Sequence, residues 1–200
     1  MPLIRDETRG SGLAVAIDLI NTWDELHDDP DKIEGLADVR TWLEWHGLKT
    51  AAAQLRERDV DAVRALRARL DRVFDAEGED EAAALLNELT RDYATSPRLE
   101  RAGSGWRVRT WPEEREGLPA VAAYAATGLL EAFRELGWKR FGRCAGSPCR
   151  CAYVDRSRNR TRRYCCTLCA DRVAQAQYRA RRREASRPRG RGAGRGGKRS

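Results

Sequence analysis

Two hundred residues, 41% of them apolar and six of them tryptophan, suffice for a buried core and exclude a wholly unstructured chain. The formal charge of +7 is unevenly spread: residues 1–137 hold 18 Lys+Arg against 28 Asp+Glu, and residues 138–200 hold 20 against 3. The longest apolar run, 118–130, is far shorter than the roughly 20 residues a spanning helix needs, and Asp18 interrupts the apolar stretch near the N-terminus, so a cytoplasmic protein with no membrane association is expected.

Residues 1–137 read as an acidic, mainly helical domain. Asp18 and Asn21 of "IDLINTW" are polar within an apolar stretch, where a helix cap or a satisfied buried amide is expected. "ADVRTWLEWHGL" predicts a helix capped by Asp38, with Val39, Trp42 and Leu43 on one face and Gly47 as its stop. After an Asp59 cap, Val63, Leu66, Leu70, Val73 and Phe74 recur at helical spacing. Ala82, Leu85, Leu86 and Leu89 mark a further helix. "RLERAGSGWRVRTW" alternates around Gly103–Gly105 and predicts a β-hairpin. A long helix follows, ending at Gly137, with Val121, Tyr124, Ala125, Leu129, Ala132 and Leu136 as its packed stripe. The fold class is mainly α with a small hairpin (α+β).

Catalytic groupings are scarce. His27 and His46 are the only histidines, one in the acidic loop "DELHDDPD" and one at a helix end, and both are expected at the surface. No P-loop, dinucleotide-binding glycine pattern or nucleophile elbow occurs. The expectation is a protein that is not an enzyme.

All six cysteines fall between 144 and 169, within residues 138–184. In a reducing compartment clustered thiols point to metal rather than disulfides. Cys144 and Cys149 flank a turn containing Gly146 and Pro148; Cys165 and Cys169 follow at a spacing of one helical turn. Four such thiolates suit tetrahedral Zn²⁺. The expected order is loop, hairpin, helix, in a treble-clef-like finger, with "AYV" and "RRY" as the strands and "SRNR" as the turn. Cys166 in place of Cys165, or Cys151 in place of Cys149, gives other registers; Cys165 is preferred because it shares a helical face with Cys169. Cys151 and Cys166 are read as small residues packed near the site.

The run "RCAGSPCRCAYVDRSRNRTRRYCCTLCADRVAQAQYRARRR" resembles the CGNR zinc finger, its tetrad here reading Cys169-Ala170-Asp171-Arg172. "LAVAIDLINTWDE" and the elements after it are similar to the ABATE domain that precedes such fingers. Together the resemblance covers residues 11–184. It implies zinc, DNA and a stress-induced transcription regulator.

The basic segment supports nucleic-acid binding independently of that resemblance. Arg156, Arg158, Asn159, Arg160, Arg162 and Arg163 belong to the finger's predicted hairpin. Arg172, Arg179, Arg181, Arg182 and Arg183 follow on the helix, with Val173, Ala176 and Tyr178 available for packing. Residues 185–200 are Gly/Arg low complexity, expected to be a disordered nonspecific arm. A zinc-dependent DNA-binding regulator is therefore expected, its acidic domain sensing a small-molecule or protein ligand or forming a homodimer. An RNA-binding or ribosome-associated protein is the alternative, ahead of a thiol redox sensor or a carboxylate-based enzyme.

Overall fold

The computed structural model describes residues 10–93, 98–102, 105–109 and 117–186. At its centre lies α1 (Gly12–Ile20), buried along its whole length and capped by Ser11, whose hydroxyl accepts from the Ala14 N–H at 3.2 Å. The nine residues are apolar save for Asp18, so α1 has no solvent face to offer. It crosses α6 (Leu118–Leu136) at two glycines. A Cβ on Gly12 would stand 2.2 Å from the Tyr124 carbonyl oxygen, and one on Gly128 would stand 2.0 Å from the Leu13 nitrogen. The two backbones are in direct contact, which only glycine permits. The predicted α6 stripe is buried at Val121, Ala125, Leu129 and Ala132, with Tyr124 and Leu136 half-buried at its edges.

Around this pair pack α2 (Leu36–Trp45), α3 (Lys49–Gln54), α4 (Val60–Arg72) and α5 (Glu79–Asp92). The predicted faces of α4 and α5 enter the core through Val63, Leu66, Leu70, Ala82, Leu86 and Leu89. Asp38 does not occupy the N-cap of α2. The helix begins earlier, after an extended Gly35, and Asp38 reaches back from its first turn to accept from the Glu34 and Gly35 N–H groups, both at 3.0 Å. His46 also departs from expectation, because it is buried. Helix α2 stops at Trp45, so the next residue turns inward. The His46 ring lies edge-on to Trp42, with Nε2 3.0 Å from Asp18 Oδ2. His27 remains at the surface beside Asp24.

Strands β1 (Arg98–Ala102) and β2 (Gly105–Arg109) form the expected antiparallel hairpin, pairing Leu99 with Val108 and Arg101 with Trp106. Its turn residues 103 and 104 lie outside the described residues, as do residues 187–200 of the Gly/Arg segment.

The second hairpin differs from its prediction. "AYV" is a strand, β4 (Ala152–Val154), but its partner is β3 (Phe141–Arg143) rather than "RRY". Residues 144–151 thus form the connection, and Tyr164 precedes a helix instead of ending a strand. The reason is burial. Phe141 finds aromatic partners upstream, its ring 5.5 Å from Trp138 and 5.3 Å from Phe74, whereas Arg162 and Arg163 are exposed. Ala152 and Val154 join the same core as α1 and α6. The final helix is α7 (Thr167–Ala185). No described helix is long and apolar enough to cross a membrane.

Candidate metal centre and nucleic-acid interface

The β3–β4 connection folds back on itself. The Cys144 N–H donates to the Cys151 carbonyl at 3.0 Å, and the Cys149 N–H donates to the Gly146 carbonyl at 3.0 Å. The Ala145 N–H donates to the Arg163 carbonyl at 2.8 Å, which brings in the segment carrying Cys165. As a result Cys144, Cys149, Cys165 and Cys169 place their sulfurs within 4.8 Å of one another, three of them buried and Cys165 half-buried. Cys149 Sγ and Cys169 Sγ each lie 3.7 Å from Cys165 Sγ. A tetrahedron of sulfurs about 2.3 Å from zinc has edges of about 3.8 Å, so the cluster has the dimensions the ion requires.

The electrostatics point the same way. Burial pushes the Cys169 thiol up to about 12, helped by the adjacent Cys165 charge. Cys149 is raised by burial, and Cys165 by its hydrogen bond to Cys151 and by burial. Burial also opposes the Cys144 thiolate, but the backbone N–H groups of Cys165 and Gly146 hold it below the usual thiol range. Four thiolates so close repel one another strongly; a divalent cation at their centre removes that repulsion and keeps all four ionised.

The position of Cys165 has a different cause from the predicted one. Helix α7 begins at Thr167 after the Cys166 N-cap, so Cys165 precedes the helix and shares no helical face with Cys169. The chain turning into α7 brings the two sulfurs together. Cys166 Sγ lies 3.8 Å from Cys165 Sγ, and Cys151 approaches Cys149 and Asp24.

Residue by residue, two of the arginines predicted to meet phosphate are committed to the fold. The Arg172 guanidinium donates to the Ser147 carbonyl at 3.2 Å and to the Gly146 carbonyl, and lies 4.0 Å from Cys169 Sγ. Arg162 donates to the Tyr164 and Cys165 carbonyls and lies 5.0 Å over the Tyr153 ring. Asp155, which opens the "DRSRN" run of the resembled finger, organises the loop that leads from it to Arg162. Its carboxylate accepts from the Ser157 N–H at 2.7 Å and the Arg162 N–H at 3.0 Å.

Residues 13–134 match the ABATE family, described as "putative stress-induced transcription regulator". The chain belongs to the ABATE family. Residues 140–182 match the CGNR zinc finger, so the cysteine cluster is that finger's zinc site. No curated protein sequence matches the chain.

The other arginines predicted to meet phosphate stand in solvent. Arg156, Arg158, Asn159 and Arg160 form an exposed loop, with Arg160 in the left-handed region at φ 54°; Arg163 is exposed beyond it. Helix α7 carries Arg179, Arg181, Arg182 and Arg183, all exposed. The packing expected for Ala176 and Tyr178 does not occur, and Val173 packs only in part. Only Cys169 of α7 is buried, Val173 is half-buried, and Ala176 and Tyr178 are exposed. The zinc site holds the first turn of α7, and the rest projects from the body.

The CGNR finger is tied to the ABATE helices by buried and charged interactions that have no local sequence signature. Arg143 donates to Asp71 at 2.6 Å and to Asp75 at 2.8 Å, and Arg150 donates to Asp75 at 3.2 Å. The Asn21 carboxamide, expected to be a satisfied buried amide, is hydrogen-bonded to the backbone of Ala152.

Proposed function

We propose that this ABATE protein binds DNA through its CGNR finger and regulates transcription, the helical domain acting as sensor or dimerisation module without catalytic activity. The observation that carries this reading is the projecting α7. A helix held at one end by a metal site, with four arginines on its free turns and no described packing partner there, suits the major groove in width and charge. The exposed loop from Arg156 to Arg160 adds charges suited to phosphate.

The test uses the full chain, because β3 and β4 share the core of the helical domain. Binding selection from random duplex DNA and RNA pools, followed by salt titration, should enrich a duplex DNA site. Each phosphate neutralised should add about 0.9 to the log–log salt slope. Enrichment from the RNA pool alone would favour an RNA-binding protein, and no binding at low salt would end both readings.

A further inference from the structure

The two cysteines outside the zinc set differ in what surrounds them. Cys166 is the half-buried N-cap of α7, and its sulfur lies against that of the adjacent Cys165. Neighbouring residues have Cα atoms about 3.8 Å apart, below the roughly 4.4 Å minimum for an ordinary disulfide. That pair is sterically poor. Cys151 is buried at 5% exposure, yet it lines a cleft of about 260 Å³ between the ABATE helices and the finger, walled by Trp23, Asp75 and Arg150. Its sulfur lies within 4.8 Å of Cys149 Sγ. Residues two apart span at most about 7 Å, so a slight bend at Arg150 brings Cys149 and Cys151 into disulfide range. A spare thiol therefore sits between a solvent cleft and two zinc ligands, Cys149 and Cys165, of which Cys149 is two residues away in the chain.

We propose that Cys149–Cys151 is a peroxide-driven disulfide site whose closure opens the metal centre, with Cys151 as the thiol that meets the oxidant. Cys151, which lines the cleft, gives up its proton and attacks one oxygen of a hydroperoxide that enters there. The O–O bond breaks, Cys151 becomes a sulfenic acid, and the leaving oxygen is protonated to water or an alcohol. The Cys149 thiolate then attacks the Cys151 sulfur. The S–S bond forms, the S–O bond breaks, and hydroxide leaves and is protonated to water. In sum, one thiolate, one thiol, one peroxide and one proton give a disulfide and, for hydrogen peroxide, two waters. The cluster loses one of its four ligands. Ala152, next in the chain, is held on both backbone atoms by Asn21, so the change is delivered to the end of α1. The inference rests on the zinc site and not on DNA binding.

The experiment treats zinc-loaded full-length protein with hydrogen peroxide. Released zinc is followed with a chromogenic indicator, and disulfides are mapped under non-reducing conditions. Arg150 lies between the two cysteines, so trypsin leaves peptides 144–150 and 151–156 joined only by the new bond, and fragmentation of the linked pair assigns it to Cys149 or to Cys144. The expected result is zinc release in step with that linked pair, reversed by a thiol reductant and added zinc. Cys151→Ser should hold its zinc before oxidation and release it at least several-fold more slowly, while Cys166→Ser should behave as wild type. Cys151→Ala repeats the measurement if the hydroxyl disturbs the buried site. Release from both Cys151 variants at the wild-type rate, or a disulfide mapped to another pair, would overturn the proposal.

Discussion

Asn21 grips Ala152 from both sides: its Nδ2 donates to the Ala152 carbonyl at 3.0 Å, and its Oδ1 accepts from the Ala152 N–H at 2.7 Å. Both residues are buried. The C-cap of α1 thus serves as a surrogate strand for the outer edge of β4. Asn21→Ala leaves a buried donor and acceptor unpaired, at about 2–4 kcal/mol. The expected outcome is a melting temperature lower by roughly 5–15 °C in zinc-loaded protein, read by circular dichroism. An unchanged melting temperature would show that the amide is dispensable.

The α1–α6 crossing leaves no room for a methyl group. Gly128→Ala must push a Cβ into the Leu13 nitrogen, and Gly12→Ala into the Tyr124 carbonyl, so either forces the helices apart. Overpacking of this kind costs about 1–3 kcal/mol, and more where the neighbour is backbone that cannot turn aside. Urea unfolding should show a lower midpoint for each variant.

Serine at Cys144, Cys149, Cys165 or Cys169 should abolish stoichiometric zinc, while serine at Cys151 or Cys166 should retain one ion per chain by elemental analysis. Structural zinc contributes about 10–16 kcal/mol at such sites. Chelation should loosen α7, whose one buried residue is a ligand, without dispersing the packed cysteines. The helical domain should lose less, because most of its core lies away from the cluster. Amide exchange before and after chelation separates the two regions.

Metal-free protein should have a pH dependence that the zinc form lacks. Cys169 rises from an ordinary 9.0 to about 12 in the folded chain, with Cys149 and Cys165 also raised. A thiol raised by folding contributes its full stability below its unfolded value and loses it as pH climbs towards the folded one. The metal-free form should therefore weaken between about pH 9 and 12, with Cys144, which is lowered, acting in the opposite sense below that window. In the zinc form the thiolates already exist, and protons compete only as pH falls. Urea midpoints with and without chelator across this range are the measurement.

The arginines should divide into two sets. Arg162→Ala and Arg172→Ala remove donors to the carbonyls around the cluster and should lower both zinc retention and thermal stability. Arg158→Ala, Arg181→Ala and Arg182→Ala remove exposed charges and should leave stability within about 0.5 kcal/mol of wild type. On the DNA-binding reading, each should also lower the salt slope by about 0.9 for every phosphate it no longer neutralises.

Local pattern made much of this architecture legible. The faces of α4, α5 and α6 follow from apolar spacing, and the cysteines from metal-ligand spacing. What escaped depends on partners distant in sequence. Nothing near Phe141 announces that it pairs with Val154 and stacks on Phe74. His46 looks like any polar residue at a helix end until α1 supplies Asp18. Arg162 and Arg172 resemble their exposed neighbours because a charged side chain carries no local sign that backbone carbonyls will claim it.

The glycine crossing also sets an order of events during synthesis. Helix α1 is apolar on every side but for Asp18, and Gly12 meets its partner 116 residues further along at Gly128. At roughly 5–20 residues per second, that partner emerges about 6–23 s later. For that interval the nascent chain carries a hydrophobic segment that α4 can reach first and that only α6 covers in full.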